Sequence, residues 1–394
     1  MHDVPPPSLR GATPHRAPGT ERSTAPVTTD NAAAEDEEDE DEEMPRTQMT
    51  RRRIAFFALF VVSSIALMYF VLPQLVGLDD TWKKIQEGDS LFIFLALLFQ
   101  IGAMVSYIAI FKGLLVPPDS RITWRESYEI TMAGLAATRL FAAGGAGGVA
   151  LTAWALRRSG MKRRDVAERM IAFLVLQYAI YMLALIVFGI GLRTGVFHGG
   201  GSFGVTIVPA IFGGVVLIAG LATAYLPRDL QHRYPRWREG DGRGARWMRR
   251  LLAAPESAGG GVRLALDKVR HPDWALAGTL AWWGFNVAIL WAAFRAFGDA
   301  PPLAVLVMGF FVGMLGNLLP LPGGIGGVDG GMIGAFLAFG EPEGLAIVAV
   351  LVYRGFAFWL PTIPGVIAYF QLRHTVNRWR DERAERRATA AAPA

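Results

Sequence analysis

The sequence predicts an all-α, polytopic membrane protein with six full transmembrane helices and two opposed re-entrant helical hairpins. Three observations carry that expectation. Hydrophobic residues make up 52% of the 394 and charged ones only 19%, and the apolar residues are gathered in long runs parted by short charged connections. Two further apolar stretches are broken by glycine clusters that a continuous helix would not carry. Lys and Arg are abundant in some connections and scarce in others, which orients the runs.

Residues 1–50 are rich in Pro, Ala, Thr, Ser and acidic side chains without a periodic apolar pattern, so they are expected to form a disordered tail. Within it EDEEDEDEE, residues 35–43, places nine carboxylates in a row. Such a run reads as a solvated segment or as a docking element for a basic protein partner. The first apolar run starts near Ile54 and no small-residue cleavage site follows it, so it reads as an anchor rather than a signal peptide.

Runs of spanning length, about 20 residues, occupy 54–73, 91–116, 167–191, 205–226, 275–298 and 345–371. Arg51, Arg52 and Arg53 place the start of the first run in the cytoplasm, and the connection 74–90, with Lys83 and Lys84, falls outside. Arg121 and Arg125 return the chain inside. The connection 192–204 has one Arg and falls outside, whereas 227–274 has eleven Lys and Arg and falls inside. That basic connection is too poor in apolar residues to build its own core. Its Trp237, Trp247 and Trp274 suit the interface of an anionic leaflet, and no recognition fold surrounds it, so nucleic acid is not expected as a partner. The membrane domain then covers 51–375, and the basic tail 376–394 is cytoplasmic, as is the N-terminus.

Residues 126–158 hold an apolar stretch interrupted by Gly144, Gly145, Gly147 and Gly148. Positive charge flanks it on both sides: Arg121 and Arg125 before, then Arg157, Arg158, Lys162, Arg163 and Arg164 after. Two half-helices that enter from the cytoplasm and return to it satisfy these charges. A second interruption, LPLPGGIGGVDGGMIGAFLAFG at 319–340, separates the runs 303–320 and 325–339, and the connections 299–302 and 340–344 contain no Lys or Arg. This pair is expected to enter from outside and to meet at PGGIGG. Broken backbone at depth is tolerable only inside protein or against a water-filled cavity, and opposed hairpins are how many secondary transporters build midplane sites.

A helix that begins inside the membrane presents unpaired N–H groups and a positive dipole end. Glycines allow close approach to that backbone. Gly144, Gly145, Gly147 and Gly148, with Gly323, Gly324, Gly326 and Gly327, are therefore candidate contacts for an anionic headgroup; helix packing explains small residues equally well. Ionisable residues at depth point more strongly to function. Arg139 precedes the first glycine cluster, Asp329 follows the second and Arg354 lies in the last run. Asp329 and Arg354 read as an ion pair, or Arg139 and Arg354 as holders of a lipid phosphate. Asn317 needs a partner wherever it points. Glu126 and Glu129 are expected to be solvated near the cytoplasmic interface, and Asp165 and Glu168 to start the third full helix.

Cysteine is absent and the six histidines are isolated, in tails or connections. No HExxH, P-loop or nucleophile elbow occurs, so no catalytic residue, metal ligand or cofactor is expected.

RLFAAGGAGGVALTAWALRRSGM, the late LPLPGGIGGVDGGMIGAFLAFG and the closing VYRGFAFWLPTIPGVIAYF together resemble the flippase-like membrane domain family related to the transmembrane region of lysylphosphatidylglycerol synthases. The resemblance covers about residues 50–375. It implies that Asp329 takes the place of the Glu that usually follows PGG, and that Tyr353 and Arg354 are the family's Tyr-Arg pair. Val149 stands about where a Glu commonly follows the early glycines. No aminoacyl-transferase domain follows the last run, so synthesis of a lysyl-lipid is not expected. The leading functional expectation is binding and transbilayer movement of an anionic phospholipid or lipid-linked precursor in the bacterial cytoplasmic membrane. A membrane-embedded enzyme acting on lipid headgroups and a non-catalytic envelope assembly protein are the alternatives.

Overall fold

The computed structural model describes residues 88–140, 146–224, 258–319 and 324–391, and every described element is helical. The first expected run (54–73), the acidic tail, most of the basic connection with Trp237 and Trp247, and Gly144, Gly145 and Gly323 lie outside the described residues. In chain order the helices are α1 (Ser90–Ile110), α2 (Trp124–Leu140), α3 (Ala146–Arg158), α4 (Arg163–Arg193), α5 (Phe203–Ala224), α6 (258–270), α7 (Trp274–Phe297), α8 (Leu303–Met314), α9 (Gly327–Ala338), α10 (Glu343–Arg354) and α11 (Leu360–Ala391). π-helical turns extend α1 over Phe111–Leu115 and join α10 to α11 over Gly355–Trp359.

Five continuous helical segments are long and apolar enough to cross a membrane: Ser90–Leu115, Arg163–Arg193, Phe203–Ala224, Trp274–Phe297 and Glu343–Arg386. They coincide with the second to sixth expected runs. The last is longer than expected, because α10, the π-turn and α11 continue without a break.

α1 and α7 lie antiparallel, and the register is set where small residues meet. A Cβ on Gly102 would come 2.8 Å from the Phe285 ring, and one on Gly278 would come 3.1 Å from the Ser106 carbonyl. Asp89 caps α1 by accepting from Leu91 N–H, and Asp273 caps α7 by accepting from Ala275 N–H, which satisfies donors that a helix start leaves free. α5 packs on α4 through Gly189, beneath the Thr206 carbonyl, and Gly213, beneath the Met182 carbonyl. Its other face leaves Val208, Ile211, Val215 and Ile218 exposed, as a lipid-facing helix does.

α2 with α3, and α8 with α9, form two helical hairpins. In the first, a Cβ on Gly148 would collide with Thr138 Oγ1 and the Gly134 carbonyl. In the second, Gly309, Gly313 and Gly316 receive Phe336, Met332 and Gly327 in turn, the descending order of an antiparallel pair. The second hairpin lies in a core shared with α1, α4, α7 and α10, whereas the first packs with the end of α1, the start of α4 and the C-terminal half of α11.

One expectation is corrected. Glu126 and Glu129 are not solvated: they are 6% and 1% exposed. Glu126 accepts from Trp379 Nε1–H and from Arg378 at 3.2 Å each, and Glu129 accepts from Thr375 Oγ–H at 2.6 Å. A carboxylate can leave water when its lone pairs are filled in this way. α11 runs on past 375 and buries Val376 and Trp379 against α2. The last part of the basic connection is α6, where Val262 and Ala265 are buried and Arg263 donates to the Ala224 carbonyl at the end of α5.

Gly148→Ala is expected to cost about 1–3 kcal/mol by overpacking the first hairpin, read as a lower melting temperature of the detergent-purified chain. Gly214, where an added Cβ meets nothing, is the control: Gly214→Ala leaves that temperature unchanged or raises it, because alanine favours a helix over glycine by about 1 kcal/mol.

Candidate functional site

The second hairpin brings its own carboxylate to the break. Gly324 and Gly326 adopt φ of +67° and +83°, conformations open to glycine and strained for most other residues. This turn aims Gly326 N–H at Asp329 Oδ2, 2.9 Å away in the first turn of α9. Asp329 therefore occupies a helix start that was a candidate anion cradle. Its second oxygen, Oδ1, lies 2.5 Å from Arg354 Nε. Both side chains are buried, at 3% and 7% exposure, so the pair joins α9 to the end of α10 where neither charge has water.

Arg139 ends α2 and reaches across to the π-turn. Its guanidinium donates to the Phe358 carbonyl at 2.8 Å, the Ala357 carbonyl at 3.0 Å and Thr362 Oγ1 at 3.4 Å. The sequence explains why a carbonyl is there to take: Pro361 stands four residues after Ala357 and has no N–H to offer it. Phe358 lies beside both cations. Its ring centroid is 5.2 Å from the Arg139 guanidinium and 4.6 Å from that of Arg354, within the range of cation–π attraction.

Tyr353 completes this junction. Its hydroxyl donates to Asn286 Oδ1 at 3.2 Å, and Asn286 donates in turn to the Trp282 carbonyl at 2.9 Å. The ring of Tyr107 in α1 lies 5.4 Å from that of Trp282, whose carbonyl accepts from the Asn286 amide. The junction thus gathers two guanidinium groups, one carboxylate, two phenols and an amide in an apolar surround. Among the described residues no three His, Asp or Glu side chains converge as metal ligands.

Of the site residues expected from sequence, Arg139, Asp329, Tyr353 and Arg354 come together. Asn317 stays apart and exposed, with its amide 3.9 Å from Met314 Sδ and its Oδ1 2.4 Å from where a Cβ on Gly324 would stand. Gly148 is buried under Thr138, Gly327 lies under Gly316, and Gly147 is half-buried; close packing accounts for Gly148 and Gly327. Tyr107, Asn286, Phe358 and Thr362 were not singled out by sequence reasoning. The spacing of Ala357 and Pro361 was the available signal for the last two.

Membrane-crossing helices packed with two helical hairpins, and a buried cluster of polar side chains where the hairpins meet the last long helix, define a multi-pass membrane protein. The chain belongs to the family described as the lysylphosphatidylglycerol synthase TM region, which it matches over residues 55–365. It is also similar to proteins of Methanothermobacter thermautotrophicus named UPF0104 membrane protein. One is 35% identical over 91 residues, 23% of this chain and 26% of the relative, and another is 36% identical over 86 residues, 22% and 26% respectively. The matched stretch therefore spans about a quarter of the length of these relatives.

Removing one partner of the buried pair strands the other. Arg354→Gln and Asp329→Asn are each expected to cost about 3–5 kcal/mol, and the double variant to recover much of that loss. Urea titration of the detergent-extracted chain checks this, and a double variant no more stable than the weaker single one would contradict it. Asparagine at 329 keeps an oxygen for Gly326 N–H, so the cap survives the change.

Proposed function

We propose that this chain binds an anionic phospholipid or lipid-linked precursor and moves its headgroup across the bacterial cytoplasmic membrane. One observation carries the reading. Among the described residues Arg139 is held by neutral carbonyls and a hydroxyl, beside an Arg354 that already shares the junction's carboxylate. A guanidinium kept at depth without an anion is costly, and a phosphate is a bidentate partner that would replace neutral acceptors with a charged one.

The hairpins support the same reading. α2, α3 and α9 have 17, 13 and 12 residues, and α8 runs on through a tight turn to Leu318; their rises of about 18–26 Å fall short of the roughly 30 Å hydrocarbon core. We take both hairpins as re-entrant, the first from the cytoplasm and the second from outside, with both termini cytoplasmic. A headgroup would then pass between hairpin tips that approach from opposite sides.

Two measurements test this. The chain has no cysteine, so single cysteines report topology directly. Ser202→Cys is expected to react with an impermeant thiol reagent in intact cells, and Lys162→Cys only after permeabilisation; the reverse pattern would invert the scheme. In proteoliposomes the wild-type chain should speed headgroup transfer of fluorescent phosphatidylglycerol above the protein-free rate. Arg139→Gln keeps an amide donor for one carbonyl, so it should fold and yet slow transfer by about tenfold or more. Wild-type transfer no faster than in protein-free vesicles would refute the proposal.

A further inference from the structure

The hairpin junction carries an odd number of charges. Across residues 126–156 and 303–372, Arg139 and Arg354 are the only Lys or Arg. The acidic residues of the same segments are Glu126, Glu129, Asp329, Glu341 and Glu343. The first two are engaged at the cytoplasmic end by Trp379, Arg378 and Thr375, and the last two lie in or next to the connection between α9 and α10. Among the described residues Asp329 is the carboxylate that reaches the junction, so the formal charge of its described side chains is +1.

Resting on the reading of the chain as a carrier of anionic lipid, we infer that the junction accepts a headgroup bearing one phosphodiester charge and rejects phosphomonoester and diphosphate headgroups. A single negative charge against Arg139 brings the junction to neutrality. A second has no cation left to meet, and it would stand in a poorly screened interior with Asp329 nearby, where like charges repel strongly. The start of α9 already holds the Asp329 carboxylate, which accepts from Gly326 N–H, so a further negative charge there meets a like one.

The ligand's own ionisation provides the test. A phosphomonoester loses its second proton near pH 6, whereas a phosphodiester has none to lose. Displacement of fluorescent phosphatidylglycerol from the full-length, detergent-purified chain is measured with phosphatidic acid, unlabelled phosphatidylglycerol and phosphatidylcholine as competitors, at about pH 5 and about pH 8. Phosphatidic acid is expected to compete at the lower pH and to weaken about tenfold or more at the higher, while phosphatidylglycerol stays flat. The flat curve is the control for Asp329, Arg139, Arg354, Tyr107 and Tyr353, the ionisable groups that face the junction.

Phosphatidic acid competing as well as phosphatidylglycerol at about pH 8 would overturn the charge limit and leave lipid binding intact. Phosphatidylglycerol competing no better than phosphatidylcholine would overturn the transport reading itself. Displacement by soluble glycerophosphoglycerol as strong as by the lipid would overturn the assignment to a lipid headgroup. Asp329→Asn raises the formal charge to +2 and is expected to abolish the discrimination; should that variant not fold, the wild-type pair of pH values decides alone.

Discussion

A guanidinium group inside an apolar core must be given oxygen atoms, and much of this structure is arranged around supplying them. The cost of leaving an arginine unmatched away from water is large enough to outweigh most single packing contacts. Arg354 is met by Asp329, which is itself fixed by capping α9. Arg139 is met by backbone carbonyls of the π-turn. These two answers tie both hairpins to the same stretch of the last span, α2 from one side and α9 from the other, with Phe358 between the cations.

The carbonyl device recurs. Leu114, in the other π-turn, is followed four residues later by Pro118, and its carbonyl accepts from Arg169 at 2.9 Å. Arg263 serves the end of α5, and Arg383 and Arg121 serve the end of α3 through the Arg158 and Ser159 carbonyls. Arginine near a helix C-terminus is a common cap. What sets Arg139 apart is its place beside a second arginine at the hairpin tips, half-buried rather than at a charged rim. Its carbonyl partners are neutral and an incoming phosphate would not be, which is the ground on which a phosphate is proposed to replace them.

The five described spans were legible because length and hydropathy decide membrane insertion locally, and the helical hairpins because glycine and proline interrupt apolar runs visibly. The ion pair of Asp329 and Arg354 was legible as one of two readings, since charges at depth are few. The partners of Arg139 were not, because Phe358 and Thr362 are more than two hundred positions away and only the register of α2 on α11 brings them close. That register is set where Gly365 lies against Met132 and Ala136. Glu126 and Glu129 were misread for a related reason: their partners sit on a stretch that looks like a charged tail, where the stripe Leu372, Val376 and Trp379 is hidden among arginines. The glycines at the breaks were ambiguous in sequence, and close backbone packing explains those for which neighbours are described.

The claim on which the functional account rests is that the Arg139 guanidinium exchanges carbonyl partners for a lipid phosphate. A structure of the full-length chain in nanodiscs containing phosphatidylglycerol tests it most directly. The account predicts a phosphate oxygen about 3 Å from the Arg139 guanidinium, between the hairpin tips. Arg139 still bound to the Ala357 and Phe358 carbonyls, with no headgroup between α2 and α9 in the presence of excess lipid, would contradict it.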